Sequence, residues 1–538
     1  MKKWLVVTIL GAAQFVMVLD GTVMNVSIST VVEDLGTTVA AMQAAITFYT
    51  LTMAAFMLLG AKLGDLWGRR TAFVIGSCVY AVGSLLTALS PNVVVLFIGW
   101  SVVEGLGAVL VIPAIAALVA DNYRGRDRIT AYAVIGAVSG GAVAAGPLIG
   151  GFITTYSSWR YVFVGEVVIM AVVVIFSRLV TDRTPRRAER IDLLSVLLSA
   201  FGLVFIVFGM LQSKTWGWFI PLASPEINGV LIAPFGISLT AWCMVVGGVL
   251  VVVFFRRQRR LVHRGLPPLV HAELFSITQL RSGLSVLGAQ YSVTAGLFFI
   301  VPVYLQMTLG LDALQTGLKI FPLSVSLILF SIVGTALSRV WSPRRVVRLG
   351  QLILVASAFL LLGSATSDLR GGLFAAGMFF AGAGLGLLAS QLGNVNMSSV
   401  SEKETSEVGG LQGVFQNLGS SLGTALIGSI LIGALATTFA SGVATSELSS
   451  DAKSLVAERT EKGLAIVPAS SVKEIGAEAG LSSDDAAELS TIYRDSQLES
   501  LRVAFFGLIA ISLLSLLFSR GIPAEVPVRK TKEKEAAT

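Results

Sequence analysis

The chain has 538 residues, 54% of them hydrophobic and only 13% charged, with a mean hydropathy of +0.82. Soluble domains carry about a quarter charged residues, so a soluble globular protein is excluded. The net charge of +7 follows from where the basic residues fall and does not imply nucleic-acid affinity. Cys78 and Cys243 lie inside apolar runs, which argues against a disulfide framework or a zinc site.

Apolar runs long enough to cross a bilayer recur along the chain. We place fourteen spans at about 4–31, 40–60, 71–89, 93–120, 129–154, 159–180, 191–213, 230–255, 282–308, 313–338, 346–366, 371–392, 405–435 and 500–519. Lys2 and Lys3 precede a stretch of signal-peptide appearance. It runs on to about Val31 without a small-residue cleavage site, so it reads as an uncleaved first helix. Fourteen crossings put both termini on one side. With that side cytoplasmic, 29 of the 39 Lys and Arg residues face inward. Six of the others belong to the long loop 436–499 and its junction with the last span, and long loops translocate largely regardless of charge.

The expected architecture is an all-α polytopic membrane protein of two six-helix bundles plus two extra central helices. Residues 1–190 form the first bundle, 191–255 the added pair and 256–281 a basic cytoplasmic loop. Residues 282–519 form the second bundle and 520–538 a charged cytoplasmic tail. The loop 436–499 is rich in Ala, Ser and Glu, with a helix start at Ser482-Ser483-Asp484-Asp485. At about sixty residues it is too short for a robust core of its own, and it is expected to cap the last two helices in partial order.

In chain order, span 1 holds Asp20 within Leu19-Asp20-Gly21-Thr22-Val23-Met24-Asn25-Val26. The turn after span 2 reads GAKLGDLWGRRT over 60–71, with Lys62, Asp65, Arg69 and Arg70 set among Gly60, Gly64 and Gly68 for a tight bend. A worn copy, GTALSRVWSPRR, lies at 334–345, where Trp341 answers Trp67 and Arg344–Arg345 answer Arg69–Arg70. Such a copy is what a duplicated six-helix unit predicts. Span 4 carries Glu104 and span 6 Glu166, six residues after the Arg160 of Ser158-Trp159-Arg160. Span 5 ends in Gly146-Pro147-Leu148-Ile149-Gly150-Gly151. In the second half, Gln290, Gln306, Gln391, Gln412 and Gln416 offer amides that either line a polar cavity or join helices by hydrogen bonds.

Ionisable groups deep in a membrane are costly and are functional suspects by default. Four qualify, each with a structural alternative. Asp20 is either a titrating acid or an aspartate hydrogen-bonded to a neighbouring helix. Glu104 is either a coupling acid or a neutral acid bonded to a backbone carbonyl. Glu166 is either a partner of these or of Arg160, and Lys319 either functions or snorkels to the interface.

These stretches resemble the major facilitator superfamily, and within it the fourteen-spanner drug:proton antiporters (the EmrB/QacA-like group). The turn at 60–71 is similar to G-x-L-x-D-R-x-G-R-R, matched at Asp65, Gly68, Arg69 and Arg70, with Ala61 and Leu66 departing from it. The Asp20 stretch is similar to L-D-x-T-[IV]-[VM]-N-V-[AS], and Ser158–Phe163 to S-W-R-[WY]-x-F. Span 5 is similar to G-x-x-x-G-P-x-x-G-G, an exporter motif, with Ala142 in place of the leading glycine. Span 4 departs from R-x-x-Q-G-x-G-A: Ser101 stands for the arginine thought to take part in proton transfer, and Glu104 for the glutamine.

The resemblance implies a proton-coupled secondary exporter of lipophilic, in part cationic, compounds working by alternating access. Asp20, Glu104 and Glu166 are the candidate proton or substrate groups, and Lys62, Asp65, Gly68, Arg69 and Arg70 form a gating turn. Gly146, Pro147, Gly150 and Gly151 form the antiporter motif, and Asn25, Gln290, Gln412 and Gln416 are candidates for a polar cavity. The expected partners are a small-molecule substrate, protons and the lipid bilayer, with no nucleic acid. The expected setting is a bacterial cytoplasmic membrane, with the chain acting as a monomer.

The proton gradient serves as energy source, with no cofactor and no metal. Gly-Lys never occurs, so there is no P-loop, and both histidines, His263 and His271, fall in the basic loop. An enzyme is therefore not expected. Export of a cell's own metabolite, uptake by symport, and a non-transporting sensor or channel stand as alternatives.

Overall fold

A computed structural model of the protein describes residues 2–182, 191–221, 226–227, 230–400, 405–460, 466–468 and 471–525. In hydrocarbon a helix satisfies its own backbone groups, and the long apolar runs fold accordingly. The first bundle comprises α1 (Lys2–Val26), α2 (Val39–Trp67), α3 (Arg69–Ala88), α4 (Val93–Asn122), α5 (Gly125–Tyr156) and α6 (Arg160–Phe176). Two central helices follow, α7 (Leu193–Trp216) and α8 (Leu239–His263). The second bundle comprises α9 (Thr278–Thr308), α10 (Ala313–Leu337), α11 (Pro343–Ser364), α12 (Gly371–Met397), α13 (Thr405–Thr445) and α14 (Ser483–Phe518). Thirteen of these are long and apolar enough to span a bilayer as single helices among the described residues. The fourteenth, α5, bends by 44° between Val143 and Ala145. With α5 counted as one span, both described ends lie at one face, here called the termini face; the other is the loop face.

Local chemistry sets the helix starts. Asn92 caps α4 by accepting from Val94 N and Val95 N at 3.1 and 3.0 Å, and Asp312 forms a capping box with Gln315 on α10. Gly68, with φ at 96°, is the single residue between α2 and α3, a conformation that favours glycine.

Several ends differ from expectation. The first span breaks at Ser27, and a separate short helix, Ile28–Asp34, follows. The eighth begins at Leu239 and not near 230, because Pro234 and Gly236 form a 3₁₀ turn after a two-residue hairpin, Glu226–Ile227 with Val230–Leu231. The loop 436–499 is largely consumed by helix: α13 runs on to Thr445, and α14 starts at Ser483 on its Ser482 cap. Between them, Ser450–Thr460 and Val472–Glu478 pack on the extensions around buried Val456, Leu489 and Tyr493.

The repeat is visible in side-chain detail. In the first bundle Arg70 N donates to Asp182, just beyond the 3₁₀ turn Ser177–Leu179 that ends the sixth helix. In the second, Arg344 donates through N and Nε to the carbonyls of Pro523 and Ile522, just beyond the turn Ser519–Gly521. Each bundle thus ties its worn or intact charged turn to the chain leaving its last helix.

The pair α7–α8 packs together, and α7 also packs on α2 and α13. Arg257 grips Asp192 in two bonds of 2.6 and 2.8 Å, which hold the Asp192 carboxyl below its ordinary range. The loop beyond α8 is docked: Leu269 N donates to Gln258, and His271 bonds Glu407 through both its backbone N and Nδ1.

Candidate functional site

Three carboxyl groups meet inside the first bundle. Asp20 of α1, Glu104 of α4 and Glu166 of α6 are each at most 1% exposed, and one carboxylate oxygen of each lies within 4.8 Å of the others. Glu104 closes a π-helical stretch, Phe97–Glu104, which re-aims the side chains of an otherwise α-helical span. Gly83 of α3 permits the close approach: a Cβ there would stand 2.5 Å from the Glu104 backbone nitrogen.

Trp100, on the same π stretch, donates its indole N–H to both oxygens of Asp20 at 2.9 and 3.0 Å and stacks on Tyr49 at 4.9 Å. Ser84 donates to Glu166 at 3.1 Å. Both oxygens of Glu104, one of Glu166 and the hydroxyls of Tyr49 and Tyr80 are buried without a hydrogen-bond partner in the protein. Both tyrosines lie within the electrostatic reach of the three acids. Among the described residues no Lys, Arg or His pairs with the cluster. Two like charges 4 Å apart repel by about 4 kcal/mol even at an effective dielectric of 20. Three carboxylates this close, without a cation, cannot all be ionised, so the chemistry the arrangement supports is the taking up and release of protons.

The alternatives for these residues now separate. Asp20 is indeed hydrogen-bonded to a neighbouring helix, through a donor suited to a carboxylate. Glu104 does not bond a backbone carbonyl. Glu166 does not pair with Arg160, which instead pairs with Asp34 at the loop face and donates to Ser90 O at 2.9 Å. Lys319 is exposed, as snorkelling requires. Ser101, in the place of the arginine, donates to Ala45 O at 2.8 Å and so only joins α4 to α2.

The span 5 motif lies beside the cluster. Gly146 and Gly150 face Thr22 and Val23 of α1, two and three residues from Asp20. On the other side of α5, a Cβ on Gly151 would stand 2.5 Å from Ala313 O, and Gly317 of α10 packs on Pro147. The motif is thus wedged between the acid-bearing helix and the second bundle.

Residues 10–213 and 215–424 match the profile of the Major Facilitator Superfamily. The chain belongs to this superfamily. Superfamily relatives include the puromycin resistance protein of Streptomyces alboniger, 29% identical, with 81% of this chain and 83% of that protein covered. The probable actinorhodin transporter of Streptomyces coelicolor is 26% identical, covering 81% and 73%. The multidrug transporter protein MdtP of Bacillus subtilis is 27% identical, covering 80% and 75%. Among solved structures, a bacterial homologue of the human lysosomal transporter Spinster, in an inward-facing and unoccupied conformation, aligns with a TM-score of 0.61 at 14% identity. It covers 97% of this chain and 98% of that one, and shows the shared fold.

The other sequence candidates lie apart from the acids. At the termini face of the superfamily fold, Arg69 pairs with Asp65 at 3.7 Å and Asp121 at 3.3 Å, both within the first bundle, beside Lys62, Gly68 and Arg70. Asn25, about one turn from Asp20, donates to Gly21 O at 2.7 Å and leaves its oxygen buried and unpartnered. Gln290 and Gln412 donate to Leu385 O and Gly393 O on α12 of their own bundle, which is helix joining, while Gln416 is half-buried. Sequence reasoning missed Trp100, Tyr49, Tyr80 and Ser84. Only Trp100 carried a signal, since four residues before Glu104 is the same helix face.

Proposed function

We propose that the protein is a proton-driven exporter of small lipophilic compounds, cations among them, in a bacterial cytoplasmic membrane with both termini inside. The observation that carries the proton half is the cluster of three buried acids without a basic partner. Relatives named for puromycin resistance, tetracenomycin C resistance and export, and multidrug transport support the drug half. The distribution of Lys and Arg supports the orientation. The termini face is then cytoplasmic, and the bonds between bundles at the loop face make this a form closed to the outside.

In the working cycle, the acids load protons when reached from outside and release them toward the cytoplasm as the bundles rock about their interface. The Asp20 carboxylate supplies a charge that a proton or a cationic substrate neutralises in turn. Asp65, Arg69 and Arg70 latch the cytoplasmic side in one of the two states. A bound cofactor has no part in this cycle, and the working unit is a single chain.

The test uses inverted membrane vesicles with an acid interior, a pH-sensitive dye and a panel of cationic and neutral drugs, with Asp20→Asn beside the wild type. Drug-dependent collapse of the gradient in the wild type and not in the variant is expected. A gradient that no drug collapses would overturn multidrug export in favour of a second reading, export of a single compound. Relatives named for one compound each, such as actinorhodin, support that reading.

A further inference from the structure

Asp20 has an unusual neighbour for a carboxylate at the heart of a proton path. Its strong donor is a neutral indole, and both its oxygens accept from the same N–H. Trp100 is 1% exposed, and its ring is held flat on Tyr49, with the planes 12° apart. The next residue along, Ser101, turns the other way to bond Ala45 O. Trp100 and Glu104 sit in the same π-helical stretch, four residues apart, so the backbone segment that aims the indole at Asp20 also aims the second acid. π-helical turns are rare inside α-helices and occur frequently at functional sites.

Five side chains among the described residues face Asp20. They are Trp100 and Glu104 from α4, Glu166 from α6, Tyr49 from α2 and Tyr80 from α3. Thr22 on α1 meets α5, and its hydroxyl turns back to Leu19 O. Within this set Trp100 makes the one hydrogen bond to Asp20 of standard geometry. An N–H that bonds a carboxylate favours its charged form; once the carboxyl is protonated, the same bond weakens by about half.

We propose that Trp100 is the positioning residue of the coupling acid: its indole N–H sets the pH at which Asp20 takes up a proton, and its bond reports that event to the π-helical stretch that places Glu104. A neutral donor in this position does not compensate the charge of Asp20. Among the described residues no cation pairs with it, so the acid is neutralised by a proton or a cationic substrate.

This inference rests on proton coupling at Asp20, and the experiment separates the two. Trp100→Phe keeps the stacked ring and deletes the N–H. In inverted vesicles, the pH at which drug-driven proton release is half-maximal moves upward by about one unit in the variant, the size of one charge-assisted hydrogen bond. A variant with a lower rate and an unmoved pH profile would make Trp100 merely structural and overturn the proposal. Absence of drug-driven release in the wild type would instead sink proton-coupled export itself.

A second measurement needs no Trp100 variant and no drug. Tryptophan emission of the purified wild type changes with pH at the midpoint of proton release, and this change is lost in Asp20→Asn. Emission that is flat, or that changes alike in both proteins, overturns the proposal even if Trp100→Phe fails to fold.

Discussion

Asp20 and Glu104 differ in how they are held, and that difference predicts different consequences for the same chemical change. Asp20 accepts from Trp100 through both oxygens, whereas no hydrogen bond of standard geometry reaches Glu104. Asp20→Asn keeps an amide oxygen to accept from the indole N–H but has no proton to take up or release, so it loses the titrating group alone. Drug-driven proton release then falls to the vesicle background. Glu104→Gln removes one of three crowded acids and breaks no hydrogen bond of standard geometry. Its thermal stability in detergent is expected to rise by about 1 kcal/mol, in the range seen when buried charge is relieved, while fewer protons move per drug exported. Melting curves and proton-to-drug ratios check both, and a Glu104→Gln protein that melts lower would show that its carboxyl forms a bond in solution. The three acids were legible in the sequence because an ionisable residue in an apolar run declares itself by cost alone. Their convergence was not, because it depends on a π turn and on which helices face one another. For the same reason nothing in the sequence marked Tyr49 and Tyr80 as neighbours of the acids.

At the scale of elements, glycines decide how closely helices carry these residues together. Gly83 stands where a Cβ would meet the Glu104 backbone at 2.5 to 2.6 Å, while Gly141 on α5 has open space around it. Gly83→Ala therefore pushes α3 from α4 at the acid itself, at about 1–3 kcal/mol as for other overpacked sites, with a loss of proton release. Gly141→Ala leaves both stability and release near wild type. Equal melting temperatures for the two variants would refute this placement of α3 against α4. Helix number and the duplicated halves were readable from apolar run length and from the repeated charged turn. The ends were not: α13 and α14 continue beyond any membrane thickness because their polar extensions pack on each other around Phe439 and Tyr493, whose rings meet edge to face at 5.4 Å. Hydropathy stops at the membrane surface; helix propagation driven by tertiary packing does not.

For the whole molecule, the question is what holds the two bundles in the arrangement seen. The direct bonds between bundles gather toward the loop face. Gln43 of α2 donates to Thr424 O and Ala425 O of α13 at 3.1 and 3.2 Å, and Ser421 donates to Thr47 O. Gln306 donates to Val26 O and accepts from Ser29 N, and Leu314 N donates to Thr155 Oγ1 at 3.1 Å. Alternating access requires this seam to part, so its bonds bias the resting state without locking it. Gln43→Leu removes two buried hydrogen bonds, each contributing about 0.5–1.5 kcal/mol, from carbonyls that keep their partners within the α13 helix. A shift of about 1.4 kcal/mol changes the ratio of closed to open forms roughly tenfold. The amides of Ser29 and Leu314 report that ratio, since both donate across the seam and neither touches Gln43. Hydrogen exchange at these two amides is expected to quicken about tenfold in Gln43→Leu, while exchange in the α3–α4 contact around Gly83 stays unchanged. Unchanged exchange at Ser29 and Leu314 would mean that the seam is held by close helix packing at Gly151 and Gly317 instead, and that the glutamine ties only set its register.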